Sequence, residues 1–248
     1  MELCDLHCHI LFGMDDGSPD IKTSVKMAKM AYASGVRTLA ATPHSNVEED
    51  DMPLRCKRIE HRAALLREAL AEEGVPLRLI TGMELFIRDN LREIMESGGF
   101  LPLGESRCLL GEFDFGENAG FMEDALQYIL DCGFVPVLAH PERYAAVQHR
   151  PERAARWFES GVIIQVNKGS VLGRFGEGPR AAADWILEHG FAHIVASDAH
   201  GTQRRTPDMT EVFEYISDNY SKRYAEILLS ANPNRIAEGK PVLSPEDF

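Results

Sequence analysis

Apolar and polar residues alternate from Leu3 to Ile10, the period of a half-exposed strand. The alternation sets Asp5, His7 and His9 on one face and Cys4, Leu6 and Cys8 on the other. Beyond Gly13-Met14-Asp15-Asp16-Gly17 the period changes. Ser18-Pro19-Asp20 reads as N-cap, N1 proline and first-turn acid of a helix that runs to Ser34 and is closed by Gly35. Short apolar runs then recur, each followed by a helical pattern. Residues 36–41, 77–81, 107–111, 134–139, 162–166 and 192–196 predict six more strands. Helices are predicted over 54–73, 89–97, 121–131, 151–159 and 180–188, and from Pro207 onward, with glycines closing most of them. A polar loop is expected over 48–51 and a glycine-rich one over 169–178.

Seven strands alternating with helices make an α/β fold with parallel strands. At 248 residues a closed or distorted barrel is favoured over an open sheet. No linker, repeat or composition break divides the chain, so a single domain over 1–248 is expected.

The functional groups of such barrels sit where strands end. Six of the seven predicted strands end in a potential metal ligand: His7 and His9, His44, Glu84, Glu112, His140, and Asp198 with His200. An isolated His-x-His near a terminus would mean little, but this recurrence is hard to assign to chance. Imidazoles mixed with carboxylates, without a thiolate pattern, suit Mn²⁺, Fe²⁺ or Zn²⁺ sites that keep water positions open. These eight residues plus Asp16 exceed what one ion can use, so two or three ions are implied. Clustered metals clamp a phosphoryl group and generate hydroxide near neutral pH, which makes metal-assisted hydrolysis of a phosphate ester the expected reaction.

Composition narrows the choice further. The formal net charge of −13 argues against a nucleic-acid surface, and no window has the length and apolarity of a membrane span. The start of the chain lacks a signal-peptide pattern, and the five cysteines form no paired framework, as in a reducing cytoplasm. Cys56 and Arg62 have the spacing of a cysteine phosphatase, but the intervening Lys57-Arg58-Ile59-Glu60-His61 is charged helix rather than a phosphate cradle. His61, His149, His189 and His193 fall in helical or interior-strand positions and are read as structural. Leu54, Ile59 and Leu66 are read as core. The loop around Phe175 is read as plain surface, since it lacks the ending of a P-loop.

The motifs Asp5-x-His7-x-His9, Asp15-Asp16-Gly17, Thr42-Pro43-His44, Gly82-x-Glu84, His140-Pro-Glu-Arg-Tyr144, Gln165-Val-Asn167 and Ser197-Asp-Ala-His200 resemble the polymerase and histidinol phosphatase (PHP) superfamily. Within it, the chain resembles the manganese-dependent bacterial protein-tyrosine phosphatases that act on capsule and exopolysaccharide tyrosine kinases. The likeness spans nearly the whole chain. It implies a distorted (β/α)7 barrel holding up to three ions, Mn²⁺ above Fe or Zn. His7, His9, Glu84 and Asp198 would hold the first, with Glu84 bridging to a second on Glu112 and His140. Asp16, His44 and His200 would hold the third. Arg143 and Arg205 match the family's phosphate-binding arginines, with Arg204 a close rival of the latter. Asp198 and His200 are also candidates for supplying the leaving-group proton.

The resemblance therefore implies a cytoplasmic phosphotyrosine phosphatase whose partner is a bacterial kinase tail. A histidinol-phosphate or other small phosphoesterase is the first alternative, and a metal-binding regulatory module without turnover is the second. Asp5 is read as supporting a ligand histidine and Asp15 as a turn residue. The expected aromatic rim comprises Phe12, Met14, Phe86, Phe115 and Tyr144.

Overall fold

Every residue of the first strand, β1 (Leu3–Cys8), is buried, so the half-exposed strand expected there lies between two apolar layers. In the computed structural model, which describes residues 2–46 and 51–243, all the pairings between strands are parallel. Parallel strands need helical crossovers that cover their faces, which is why they read as apolar runs. Three strands, β1, β2 (Val36–Ala41) and β3 (Arg78–Thr81), form one sheet in that order. A second sheet runs β4 (Glu84–Phe86), β5 (Cys108–Glu112), β6 (Val135–Ala139), β7 (Ile163–Asn167), β8 (Ile194–Ala196).

The α/β class and the parallel order match expectation, but the continuous ladder of a closed seven-stranded barrel does not form. The third predicted strand, 77–81, becomes β3, and across Gly82-Met83 follows a short strand that the sequence did not predict, β4, in the other sheet. The sheets meet at isolated bridges, Cys8 with Ala199 and His44 with Glu84. Both bridges lie at the carboxyl ends of strands, beside predicted ligands. Seven of the eight strands, all but β4, nevertheless contribute side chains to one small enclosed cluster, including Leu6, Ala40, Ile80, Leu110, Val137, Ile163 and Ile194. Cys8 departs from the expected alternation and packs in the larger cluster, because the β1–β2 register shifts between Asp5 and Cys8.

Helices carry the crossovers. They are α1 (Ile21–Ala33), α2 (Met52–Glu72), α3 (Leu91–Ser97), α4 (Ala119–Asp131), α5 (Ala145–His149), α6 (Glu152–Glu159), α7 (Lys168–Val171) and α8 (Glu177–Glu188). After β8 come α9 (Thr210–Asn219), α10 (Lys222–Glu226) and α11 (Asn232–Ala237). Asp20, not Ser18, caps α1: its carboxylate accepts from the Thr23 amide at 2.8 Å, while the Ser18 hydroxyl is engaged with Asp20 and Ser24. Asp51 caps α2 in the same way, and the rest of the loop expected over 48–51 lies outside the described residues. Ile59, Ala63 and Leu66 bury the inner face of α2, whereas Leu54 is 47% exposed and is not core.

One buried cation matters for the site. Arg55 of α2 is wholly buried and donates to the carbonyls of His44 at 2.6 Å and Met14 at 2.9 Å. It thereby fastens two ligand-bearing loops to one helix. Such charge-assisted bonds contribute about 1.5–3 kcal/mol each when their partners are buried.

Candidate metal centre

The nine predicted ligands arrive from six strand ends and the Asp15-Asp16-Gly17 turn, and the fold brings all of them together. Glu84 is the hub. Its Oε1 lies 3.1 Å from both His7 Nε2 and His140 Nε2. Its Oε2 lies 3.2 Å from His9 Nε2 and 2.9 Å from His44 Nδ1. Glu112 reaches the same His44 nitrogen at 2.9 Å, and Asp198 Oδ1 stands 3.5 Å from both His7 and His9. Asp16 faces His200 at 3.3 Å and His44 at 3.6 Å, and at 69% side-chain exposure it is the solvent-side member.

Four overlapping groups have ligand atoms close enough to share an ion: His9, Asp16, His44 and His200; His7, Glu84 and His140; His7, His9 and Asp198; His44, Glu84 and Glu112. The grouping differs from that implied by resemblance in three respects. His9 also joins the Asp16 group, His44 joins Glu112, and His140 groups with His7 and Glu84 rather than with Glu112.

These residues fit a cation better than they fit one another. His7 Nε2 and His9 Nε2 face each other at 3.2 Å, and since their Nδ1 atoms face the acceptors Gln165 Oε1 and Asp15 Oδ2, the neutral rings turn two lone pairs towards one space. Glu84 Oε2, His44 Nδ1, His140 Nδ1 and His200 Nε2 are buried without a hydrogen-bond partner among the described residues, despite short contacts between some of them. Burial disfavours the charge on Glu84, yet the surrounding imidazoles, His7 foremost, hold its carboxyl well below the usual range. Burial likewise opposes a charge on His44, but Glu112 and Glu84 outweigh it and carry the ring up to about 10. Cation binding at neutral pH would therefore release protons.

The other imidazole nitrogens are held from behind. Gln165 Oε1 meets His7 Nδ1 at 2.9 Å, and His200 Nδ1 lies 3.0 Å from the Asp198 carbonyl. Asp15, read from sequence as a turn residue, instead places its Oδ2 2.7 Å from His9 Nδ1 and accepts from the His44 amide at 3.0 Å. Such partners fix ring orientation and raise ligand basicity. Asp5 supports the centre differently from expectation: it accepts from the backbone amides of His7 and Ser197, not from an imidazole. Gly17 is required because a Cβ there would lie 2.2 Å from the His9 carbonyl. Asp15 could have been flagged by its place beside Asp16, and Gln165 by the Gln165-Val-Asn167 motif, though neither signal names the ring it supports.

Two proposed ligands carry backbone strain. His140 has φ +37° and Asp198 φ +50°, the only non-glycine residues at positive φ among those described. Such conformations cost on the order of 1–3 kcal/mol and persist where the surroundings impose them.

A cleft of about 280 Å³ opens over the centre, lined by Phe86, Phe113, Phe115, Arg143 and Arg205 among others. Arg205 pairs with Asp198 at 2.5 Å, and Arg143 reaches the same carboxylate at 3.4 Å. Phe115 and Phe175 pack on the Arg143 guanidinium with its carbon 4.4 and 4.7 Å from their ring centroids. The loop read as plain surface thus backs a cleft-lining arginine. Three rim expectations fail. Met14 and Tyr144 are buried, the latter with its hydroxyl between the Phe113 amide and the Ala139 carbonyl. Phe12 lies against Arg62 and does not line the cleft.

The residues set aside from sequence stay apart. His193 packs against Phe158 and accepts from the Ile164 amide, with burial lowering its pKa to about 4. Burial pushes the Cys56 thiol up, away from a reactive thiolate.

The model of the capsular polysaccharide synthesis family CpsB/CapC matches residues 3–238. The chain belongs to this family. Among CpsB/CapC relatives, the tyrosine-protein phosphatase YwqE of Bacillus subtilis is 33% identical over 205 residues, covering 82% of this chain and 79% of YwqE. The tyrosine-protein phosphatase CpsB of Streptococcus pneumoniae is 29% identical over 239 residues, covering 94% and 98% of the two chains. A crystal structure from the YwqE and CpsB pair, described as unique metal-dependent tyrosine phosphatases, matches with a TM-score of 0.89 at 29% identity. That match covers 97% of this chain and 96% of the other.

Proposed function

We propose that this CpsB/CapC protein is a metal-dependent protein-tyrosine phosphatase. The observation that carries the reading is the convergence of five imidazoles on Glu84, Glu112, Asp198 and Asp16 beneath an aromatic cleft with two arginines. His7, His9, Asp16, His44, Glu84, Glu112, His140, Asp198 and His200 would hold up to three ions, and manganese is the metal we favour. When bound, such ions supply Lewis acidity and lower the pKa of water towards neutrality.

The chain's own residues supply the rest. Arg143 and Arg205 would grip the phosphate oxygens through charge-assisted hydrogen bonds. Phe115, stacked on Arg143 and 44% exposed, offers an aryl-accepting edge beside them. The tyrosyl leaving group needs less help than an alkyl alcohol, since its ordinary pKa is about 10. Asp198 or His200 would relay to it the proton given up by the attacking water, so that neither need start protonated. A tyrosine-phosphorylated kinase tail in capsule or exopolysaccharide synthesis is the partner this reading favours, with one domain working in the cytoplasm. No described helix is long and apolar enough to cross a membrane.

The histidinol-phosphate alternative asks for paired carboxylates to hold amino groups. Among the described cleft residues Asp114 is the one carboxylate outside the proposed ligand set, and its Oδ1 accepts from the Gly116 amide. We therefore expect kcat/KM for a phosphotyrosine peptide to exceed that for a phosphoserine peptide and for histidinol phosphate by at least about tenfold, or about 1.4 kcal/mol in barrier. A side-by-side assay at one Mn²⁺ concentration decides it. Histidinol phosphate as the better substrate would remove the phosphotyrosine assignment.

A further inference from the structure

Beside the cleft lies a second cavity of about 600 Å³, to which Lys168, Arg174, Phe175, Gln203, Arg204 and Arg205 contribute. Four cations line it, and no carboxylate does. In a chain of net charge −13 this is a local reversal of sign. Arg205 lines both cavities, so one residue stands between them. Phe175 lines this cavity and stacks on the cleft's Arg143, and it packs on Gly169, where a Cβ would lie 2.5 Å from the ring.

Arg205 is held by Asp198, but the other three charges are less fully met by carboxylates. Lys168 is buried, and its ammonium donates only to carbonyls, those of Thr206 and of Asp208, the latter at 2.8 Å. Arg204 is exposed and has no carboxylate within ion-pair distance among the described residues. Arg174 pairs with Glu211, but that pair is open to solvent, where such bridges contribute little. Lys168 also ties the arginine-bearing loop to the end of β7, which fixes where Arg204 and Arg205 stand.

We propose that this cavity is a second anion subsite, which takes a carboxylate or phosphate on the substrate chain near the phosphotyrosine being hydrolysed. The inference rests on the phosphotyrosine reading above and adds a rule of peptide choice to it. An acidic peptide approaching an acidic protein is repelled except where cations are concentrated. Here that concentration adjoins the proposed reaction centre. An anion held by Arg204 and Arg174 would anchor the peptide without touching the reacting phosphate, so its effect belongs in KM.

The test uses three peptides with one phosphotyrosine each, assayed with Mn²⁺-loaded full-length protein. One has neutral neighbours, one carries glutamates two and three residues away, and one carries a phosphoserine there. Wild-type protein is expected to favour at least one anionic peptide over the neutral one by about fivefold or more in kcat/KM, mainly through KM. The phosphoserine arm alone responding identifies a phosphate as the ligand, and both responding identifies any anion. The double variant Arg174→Gln, Arg204→Gln, both on the surface, is expected to erase that preference while keeping the neutral peptide within about twofold of wild type. No preference in wild type, or equal losses on all three peptides in the variant, overturns the subsite and leaves the phosphatase reading standing. Failure of wild-type protein to hydrolyse even the neutral peptide overturns the phosphatase reading itself.

Discussion

Replacing Glu84 with glutamine is expected to lower kcat towards a phosphotyrosine peptide by about a hundredfold or more and to reduce the metal content of the purified protein. Glu84 is fully buried, with His7, His9, His44 and His140 all within 3.2 Å of its two oxygens. Glutamine keeps the shape but removes the charge that those rings face, and its amide nitrogen turns one acceptor into a donor. A cation shared between the two oxygens would lose one of them. His140→Ala is the companion variant, since His140 touches Glu84 at 3.1 Å and lies 3.7 Å from Glu112. It should lose activity and metal together. Elemental analysis beside steady-state kinetics separates these outcomes from a folding defect, which circular dichroism would reveal. Near-normal kcat and metal content in both variants would show that these residues are not ligands.

The second large effect belongs to Arg143. Arg143→Ala is expected to lower kcat/KM by at least about tenfold, the loss of one or two charge-assisted hydrogen bonds of about 1.5–3 kcal/mol each. Metal content should not change, because Arg143 touches the centre only through Asp198 at 3.4 Å. That difference in metal content is what tells the arginine from a ligand. Arg143→Lys should recover only part of the loss. It restores a charge but not the planar fork, nor the flat face held between Phe115 and Phe175. Wild-type kcat/KM in Arg143→Ala would place phosphate binding elsewhere.

Much of this centre was legible along the chain because strand periodicity and ligand position are local signals. Six of the seven short apolar runs ended in a histidine or carboxylate, and parallel crossovers gather such ends at one side of a fold. What could not be read were relations set by long-range packing. Arg55 looks like any charged residue on a helix until the His44 and Met14 carbonyls are seen to meet it. Gln165 supports His7 from 158 positions away, and Phe175 reaches Arg143 from another loop. The three-residue β4 is too short to show a period, so Glu84 was read as the end of one strand's loop where a second sheet begins. Met14 and Tyr144 were expected at the rim because motif position says nothing about which way a side chain packs. The positive φ of His140 and Asp198 left no compositional trace, since neither residue is glycine.

Arg205 and Arg204 illustrate the same point at a single step along the chain. Adjacent in sequence, they separate in space. Arg205 lines both cavities and pairs with Asp198, while Arg204 lines only the outer one. Two functions, phosphate grip and recognition of a neighbouring anion, can thus be tested by substituting neighbours.

The central claim is that phosphotyrosine hydrolysis by this protein depends on ions held by the Glu84 cluster. Its most direct test is the turnover of a phosphotyrosine peptide by protein stripped of metal with a chelator, dialysed, and then titrated with Mn²⁺. The account predicts loss of turnover on stripping and recovery that saturates once Mn²⁺ reaches a small whole-number ratio to protein. Undiminished turnover by protein shown to be metal-free would contradict it.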